Sequence, residues 1–175
     1  PDLFEKKTAE IESLIALDTQ LDVTTNYLVW TDAGAIYQQH GETYWPKAEA
    51  LLQKAREAFP KGITPLLNLG YFYLDTGKHP EALNCFEKVV QQAPEAREGY
   101  LALARLFEAQ EKWEDAREHY ETVNRLIPSW ERFMGSSIGR CLRHLERWEE
   151  AEVALLQSWS QDEYDDSGAM TELYE

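Results

Sequence analysis

The sequence predicts an all-α chain built as a stack of about four helical hairpins. Three observations carry that prediction. Residues of matched size recur 34 positions apart through the middle of the chain. The apolar members fall at helical spacing. Short polar turns with Gly or Pro stand where a helix has to stop.

The repeat is clearest between two adjacent stretches. Leu66, Leu69, Gly70 and Tyr73 match Tyr100, Leu103, Ala104 and Phe107, and Ala82, Phe86, Val89 and Pro94 match Ala116, Tyr120, Val123 and Pro128, each pair 34 residues apart. Leu66, Leu69, Gly70 and Tyr73 occupy one face of a first helix; Ala82, Phe86 and Val89 occupy one face of a second. Between them Asp75-Thr76-Gly77-Lys78 is turn chemistry, and Pro80 suits the opening turn of a helix. Downstream, Ile138, Gly139, Leu142, Ala151 and Leu155 repeat the pattern after one extra residue near Trp130. Upstream, Trp30, Ala33, Gly34 and Tyr37 repeat its first half. Ala48, Leu52, Ala55 and Pro60 repeat its second half, after two extra residues in the Glu42–Pro46 turn. Small residues at Gly34, Gly70, Ala104 and Gly139, and alanines at 48, 82, 116 and 151, let the two helices of each hairpin approach closely.

These residues resemble the tetratricopeptide repeat family, whose pattern runs from a large residue through Leu-Gly, Tyr, Ala, Phe and Ala to Pro over 34 residues. The resemblance implies a right-handed superhelical solenoid. Its repeats would span 27–62, 63–96, 97–131 and 132–165, with an N-terminal capping helix and linker over 1–26 and an acidic tail over 166–175. The last repeat departs most from the pattern. It has Gly135 at the bulky first position, Ser158 at an alanine-like one and Glu163 in place of Pro.

Phe4, Ile11, Leu14 and Ile15 are roughly helix-spaced and predict a helix over Leu3–Leu17, with N-caps for the next helix at Asp22, Thr24 and Thr25. Residues 161–175 carry six acids and no base. They read as a solvating tail, with a short closing helix through Met170 and Leu173, or docking on a neighbouring molecule, as alternatives.

The family resemblance implies that the first helices of successive hairpins line a concave groove where partners bind. Trp30, Tyr37, Tyr73, Tyr100 and Phe107 are packing residues in this register. The groove positions are Thr31, Asp32, Ala35, Gln38 and Gln39, then Thr64, Leu67, Asn68, Tyr71 and Asp75, then Glu98, Leu101, Arg105 and Glu108, then Ser136, Arg140, Arg143 and His144. Arg105 and Arg140 share a repeat position, with Arg143 and His144 one turn on. Bases gathered on one face of an acidic chain suit a carboxylate, which Arg grips in bidentate fashion. Asn68 and Tyr71 add a donor and an aromatic face. The candidate binding residues are therefore Asn68, Tyr71, Arg105, Arg140, Arg143 and His144, toward a protein or peptide bearing a carboxylate. The competing reading is that these arginines pair with nearby acids such as Glu108. The carboxylate clamp of the family's co-chaperones does not fit, because only Asn68 of its residues is present. The asparagine ladder of its sugar-transferring relatives is also missing, with Asp32, Asn68, Ala102 and Ser137 at those positions. Trp113 and Trp148 share a position at the entry to the second helix and read as packing between hairpins.

Nothing in the sequence calls for catalysis, a metal or a cofactor. The four His stand outside any HExxH or close metal spacing, and the glycines are isolated rather than gathered in a phosphate loop. A net charge of -15 repels phosphate backbones and anionic membranes, so nucleic acid and membrane are not expected partners. Cys85 and Cys141 read as free thiols of a cytoplasmic protein, with pairing as the alternative. Pro1-Asp2-Leu3-Phe4-Glu5 has no signal-peptide order, and a start at Pro leaves an upstream targeting segment open. The expected function is a scaffold or adaptor binding protein or peptide in the groove. The alternatives are a homo-oligomerisation module, or a regulatory or substrate-presenting domain of a larger enzyme or secretion component.

Overall fold

A computed structural model describes residues 6, 8–9, 12–13, 23–127 and 131–160. Eight α-helices run through the described residues: α1 (Val23–Gln39), α2 (Trp45–Ala58), α3 (Ile63–Asp75), α4 (His79–Gln92), α5 (Arg97–Ala109), α6 (Trp113–Leu126), α7 (Glu131–His144) and α8 (Trp148–Ser160). The chain divides into two compact units, Pro1–Ala102 and Leu103–Glu175. The first holds α1 to α4 and the opening of α5; the second holds the rest of α5 with α6 to α8.

The turns repeat as strictly as the side chains. In the turn after α3, the Lys78 N–H donates to the Tyr73 carbonyl at 2.8 Å and the Gly77 N–H to that of Leu74 at 3.1 Å. The same pair of bonds runs from Lys112 to Phe107 (2.9 Å) and Glu111 to Glu108 (2.9 Å), and from Arg147 to Leu142 (2.9 Å) and Glu146 to Arg143 (3.2 Å). This closure satisfies the last carbonyls of a helix, and it requires a left-handed residue between the two bonds. Gly77 supplies it at φ 73°, and Glu111 and Glu146 supply it at φ 57° and 59°. The recurrent alanines then take up the next helix: Ala82, Ala116 and Ala151 donate their N–H to Lys78, Lys112 and Arg147, each at 3.0 Å. The first hairpin differs where its sequence carries two extra residues. There Gly41 turns the chain at φ 98°, and Glu42–Tyr44 form a 3₁₀ turn before Pro46 opens α2.

Close approach of paired helices rests on the small residues. Ala48, Ala82 and Ala116 are 0% exposed and Ala151 2%. A Cβ added at Gly70 would lie 2.4 Å from the Phe86 ring, and one at Gly34 2.7 Å from the Leu52 side chain. One at Gly139 would lie 2.8 Å from Leu155. Two of the three departures of the last repeat face one another: a Cβ at Gly135 would come within 2.8 Å of Ser158 Cβ. The buried Ser158 hydroxyl donates to the Leu155 carbonyl at 2.7 Å, so it enters the core without an orphaned polar group.

Of the predicted packing residues, Tyr37 and Tyr73 are buried, and Trp30, Tyr100 and Phe107 are half-buried. Three expectations are corrected. Trp148 is 58% exposed and does not pack between hairpins, because it enters the last described helix and no described element lies on its outer side. Thr31, placed on the groove face by the register, is buried. Its hydroxyl donates to the Tyr27 carbonyl of its own helix at 2.7 Å, which lets the side chain pack. Within Leu3–Leu17, Lys6, Thr8, Ala9, Glu12 and Ser13 are helical. The Glu12 carboxylate accepts bonds from the Tyr37 hydroxyl (3.1 Å) and the Lys47 ammonium (2.5 Å), joining this segment to the first hairpin. Thr24 and Thr25, expected as N-caps, fall inside α1, which opens at Val23. The rest of the 3–17 span, Asp22 and the 161–175 tail lie outside the described residues.

Candidate binding face of the first helices

In the first unit, Asn68 and Tyr71 lie half-buried on α3, and the Tyr71 ring leans on Phe86 of α4 at 5.2 Å and 60°. Tyr71 is therefore partly a packing residue. It shares its face with Asp75, whose carboxylate accepts a bond from the Gln38 amide of α1 at 2.5 Å. Lys78, at the turn, pairs with Glu49 of α2 at 2.7 Å.

In the second unit the four predicted bases, Arg105 on α5 and Arg140, Arg143 and His144 on α7, are all exposed. Arg140 is tied to an acid. Arg140 donates from Nε (3.1 Å) and Nη2 (2.9 Å) to a single oxygen of Glu108, Oε1. The other Glu108 oxygen accepts the Tyr120 hydroxyl of α6 at 3.0 Å, and the Cys141 thiol sits 3.9 Å from Oε1. One carboxylate, 18% exposed, thus gathers groups from α5, α6 and α7. The pairing reading holds for Arg140. Its side chain nevertheless stays 54% exposed, so the guanidinium keeps donors toward solvent. Arg143 makes no ion pair among the described residues. The His144 ring lies flat on Trp113 of α6, 3.7 Å away and 3° from parallel.

The electrostatics follow from burial beside a carboxylate. Burial and the Glu108 charge hold the Tyr120 phenol well above its ordinary value. The same two causes push the Cys141 thiol up to about 11. Burial works against the Arg140 cation, but its bonds to Glu108 outweigh this and raise it. Nearby, burial pulls His119 down, where its ring stacks on Phe107 at 5.3 Å.

The Glu108–Tyr120 bond was not anticipated, although the sequence carried its signal. One repeat earlier the same two positions hold Leu74 and Phe86. A carboxylate and a hydroxyl thus arrive together where the previous hairpin has two hydrocarbons. Both cysteines are free and buried. Among the described residues, no group of three or more His, Cys, Asp or Glu could hold a metal, and no helix is long and apolar enough to cross a membrane.

Comparison with known proteins agrees with this geometry. Residues 63–125 match the tetratricopeptide repeat family model. No curated protein matches the sequence. Among solved structures, MamA superposes with a TM-score of 0.70 at 18% identity, over 93% of this chain and 96% of that one. MamA from Desulfovibrio magneticus RS-1, from residue 41 to its end, gives 0.73 at 16% identity, over 95% and 89% of the two chains. A thermophilic tetratricopeptide protein of Thermus thermophilus gives 0.62 at 19% identity, over 78% and 75%. At these identities the likeness speaks to the fold.

Proposed function

Because the chain carries tetratricopeptide repeats, a fold that generally mediates protein–protein contact, we propose that it is a scaffold or adaptor that binds a protein or peptide on the face of its first helices. The preferred partner segment bears a carboxylate. The observation behind this reading is the exposure of Arg105 on α5 and of Arg140, Arg143 and His144 on α7 in a chain of net charge -15. Arginine on a rigid helix is preorganised for a carboxylate, and Glu108 holds Arg140 in place without covering it. The role is non-catalytic, the compartment cytoplasmic, and Asn68 and Tyr71 are the binding residues of the first unit.

Selection from a displayed library of random peptides with free C-terminal carboxylates tests this reading. Enriched peptides should be acidic. They should lose at least about tenfold in affinity, roughly 1.4 kcal/mol, on an Arg105→Ala/Arg140→Ala/Arg143→Ala variant whose helicity is intact. Peptides that bind this variant as tightly as the wild type would sink the proposal.

Homo-oligomerisation has one observation in its favour. Trp148, Val153, Leu155 and Leu156, all on α8, are 36–58% exposed. Self-repulsion at this net charge opposes it. A mass in solution that rises with concentration, and falls back when Leu156 is changed to Glu, would favour this second reading over the first.

A further inference from the structure

A second site lies away from the arginine-bearing face. Between α6 and α8, across α7, a cleft of about 400 Å³ opens to solvent. Its floor is apolar, made by Ile138, Leu142 and Val153. Its rim carries three carboxylates, Glu121, Glu149 and Glu150, and no Lys, Arg or His lines it among the described residues. Two of these acids are already engaged, Glu121 with Arg117 and Glu150 with Arg147. Glu149 forms no ion pair or hydrogen bond among the described residues. In the wall stands Asn124, whose buried carboxamide oxygen accepts no hydrogen bond there. A buried acceptor left open is uncommon in a folded chain and marks a place where a donor is wanted.

These features select a ligand. A bare metal ion would need oxygen ligands around it, and hydrocarbon forms the floor. Phosphate-bearing ligands are repelled by the rim. A side chain with an aliphatic stem and several N–H donors at its tip meets these requirements: the stem covers Ile138, Leu142 and Val153, the tip reaches the Glu149 carboxylate at the rim, and a rotation of the Asn124 side chain would turn its unpaired oxygen from the wall toward the same tip. Arginine does this with its planar fork, whereas a lysine ammonium is a compact, strongly hydrated point charge. We propose that this cleft seats an arginine side chain presented by a basic segment of a partner protein, with Glu149 and Asn124 as its acceptors.

The test uses the full chain, labelled with nitrogen-15, and a blocked pentapeptide, acetyl-Ala-Leu-Arg-Leu-Ala-amide, titrated at physiological salt. Its citrulline and lysine counterparts are run beside it. The expected result is a set of shifts confined to the Gly135, Ile138 and Val153 amides and the Asn124 side-chain amide. Binding should be at least about tenfold weaker for citrulline, and weaker for lysine. Glu149→Gln and Asn124→Leu should each weaken the arginine peptide about tenfold, while Glu152→Gln, an exposed acid outside the cleft, leaves it unchanged. If Asn124→Leu disturbs the fold, the exposed Glu149→Gln carries the test alone. The proposal is overturned by shifts spread evenly over the acidic helices, by equal binding of arginine and citrulline, by indifference to Glu149→Gln, or by no shift in the cleft up to about 5 mM peptide. Lysine binding as tightly as arginine overturns the assignment to arginine.

Discussion

Arg140 and Tyr120 meet on opposite oxygens of one carboxylate, that of Glu108. The two bonds differ in worth. The arginine is more than half exposed, and water can replace its partner. The tyrosine is buried and its hydroxyl has been taken out of water. Arg140→Ala should therefore cost about 0.5 kcal/mol. Glu108→Ala should cost about 1–3 kcal/mol, because it strands the Tyr120 hydroxyl. In the background of Tyr120→Phe, the Glu108→Ala penalty should shrink. Urea unfolding of the singles and the double measures all three; equal costs for Arg140→Ala and Glu108→Ala would show that Tyr120 is not the controlling partner.

At Gly70 two effects compete. Alanine is the better helix former by about 1 kcal/mol. Against that, its Cβ would lie 2.4 Å from the ring of Phe86, which is fully buried and has nowhere to move. Overpacking of this kind costs about 1–3 kcal/mol, so Gly70→Ala should destabilise. Thermal melting of the variant checks the sign.

The hairpin turns give the opposite sign. Glu111 and Glu146 hold the left-handed conformation that Gly77 adopts freely, and both are exposed. The steric cost of such a conformation, about 1 kcal/mol, exceeds what glycine adds to the freedom of the unfolded chain. Glu111→Gly and Glu146→Gly should each stabilise by about 0.5 kcal/mol. An unchanged or lower urea midpoint would mean that the glutamate side chains do something useful at the turn.

His119 predicts a weakening in mild acid. Its folded value is lowered by burial from an ordinary 6.5. The unfolded chain therefore binds the proton more readily, and the stability His119 contributes is complete above 6.5 and lost as pH falls through its folded value. His119→Phe should flatten the stability profile below pH 6.5 and leave that above it in place.

The thiols predict behaviour at the alkaline end. Cys85 and Cys141 are buried and held in the neutral form, Cys141 up to about 11. Neither should react with a thiol reagent in the native chain at pH 8, and both should react in urea. The raised value also means that stability fully present below pH 9 falls as pH rises from 9 to 11. A rapidly labelled native thiol would show that one of the two helices carrying them opens.

Much of the fold was legible because repetition multiplies weak signals. Leu69 alone says little; Leu69 and Leu103 in the same phase, each beside a small residue and a following aromatic, say helix, face and partner together. The last repeat read poorly because Gly135 and Ser158 each looked like a lapse. In three dimensions one exchange answers the other: small faces small, and the helices close up. Thr31 was misplaced because a register cannot show that a hydroxyl is satisfied by its own helix. Trp148 was misplaced because no described element lies beyond its helix for that repeat position to pack against. At the binding face the arginines were visible as residue types, but their engagement was not. Glu108 commits part of Arg140, while Arg143 has no ion pair among the described residues, a distinction set by rotamer and reach rather than by spacing.

The shared turn geometry has a consequence for inheritance. The left-handed residue, the two bonds that close the helix before it and the alanine that opens the helix after it recur in phase at 77, 111 and 146. A crossover between two such stretches at the turn itself therefore rejoins a helix to its own kind of turn. Descendants longer or shorter by one period remain foldable, and length becomes a trait that recombination can adjust in whole steps.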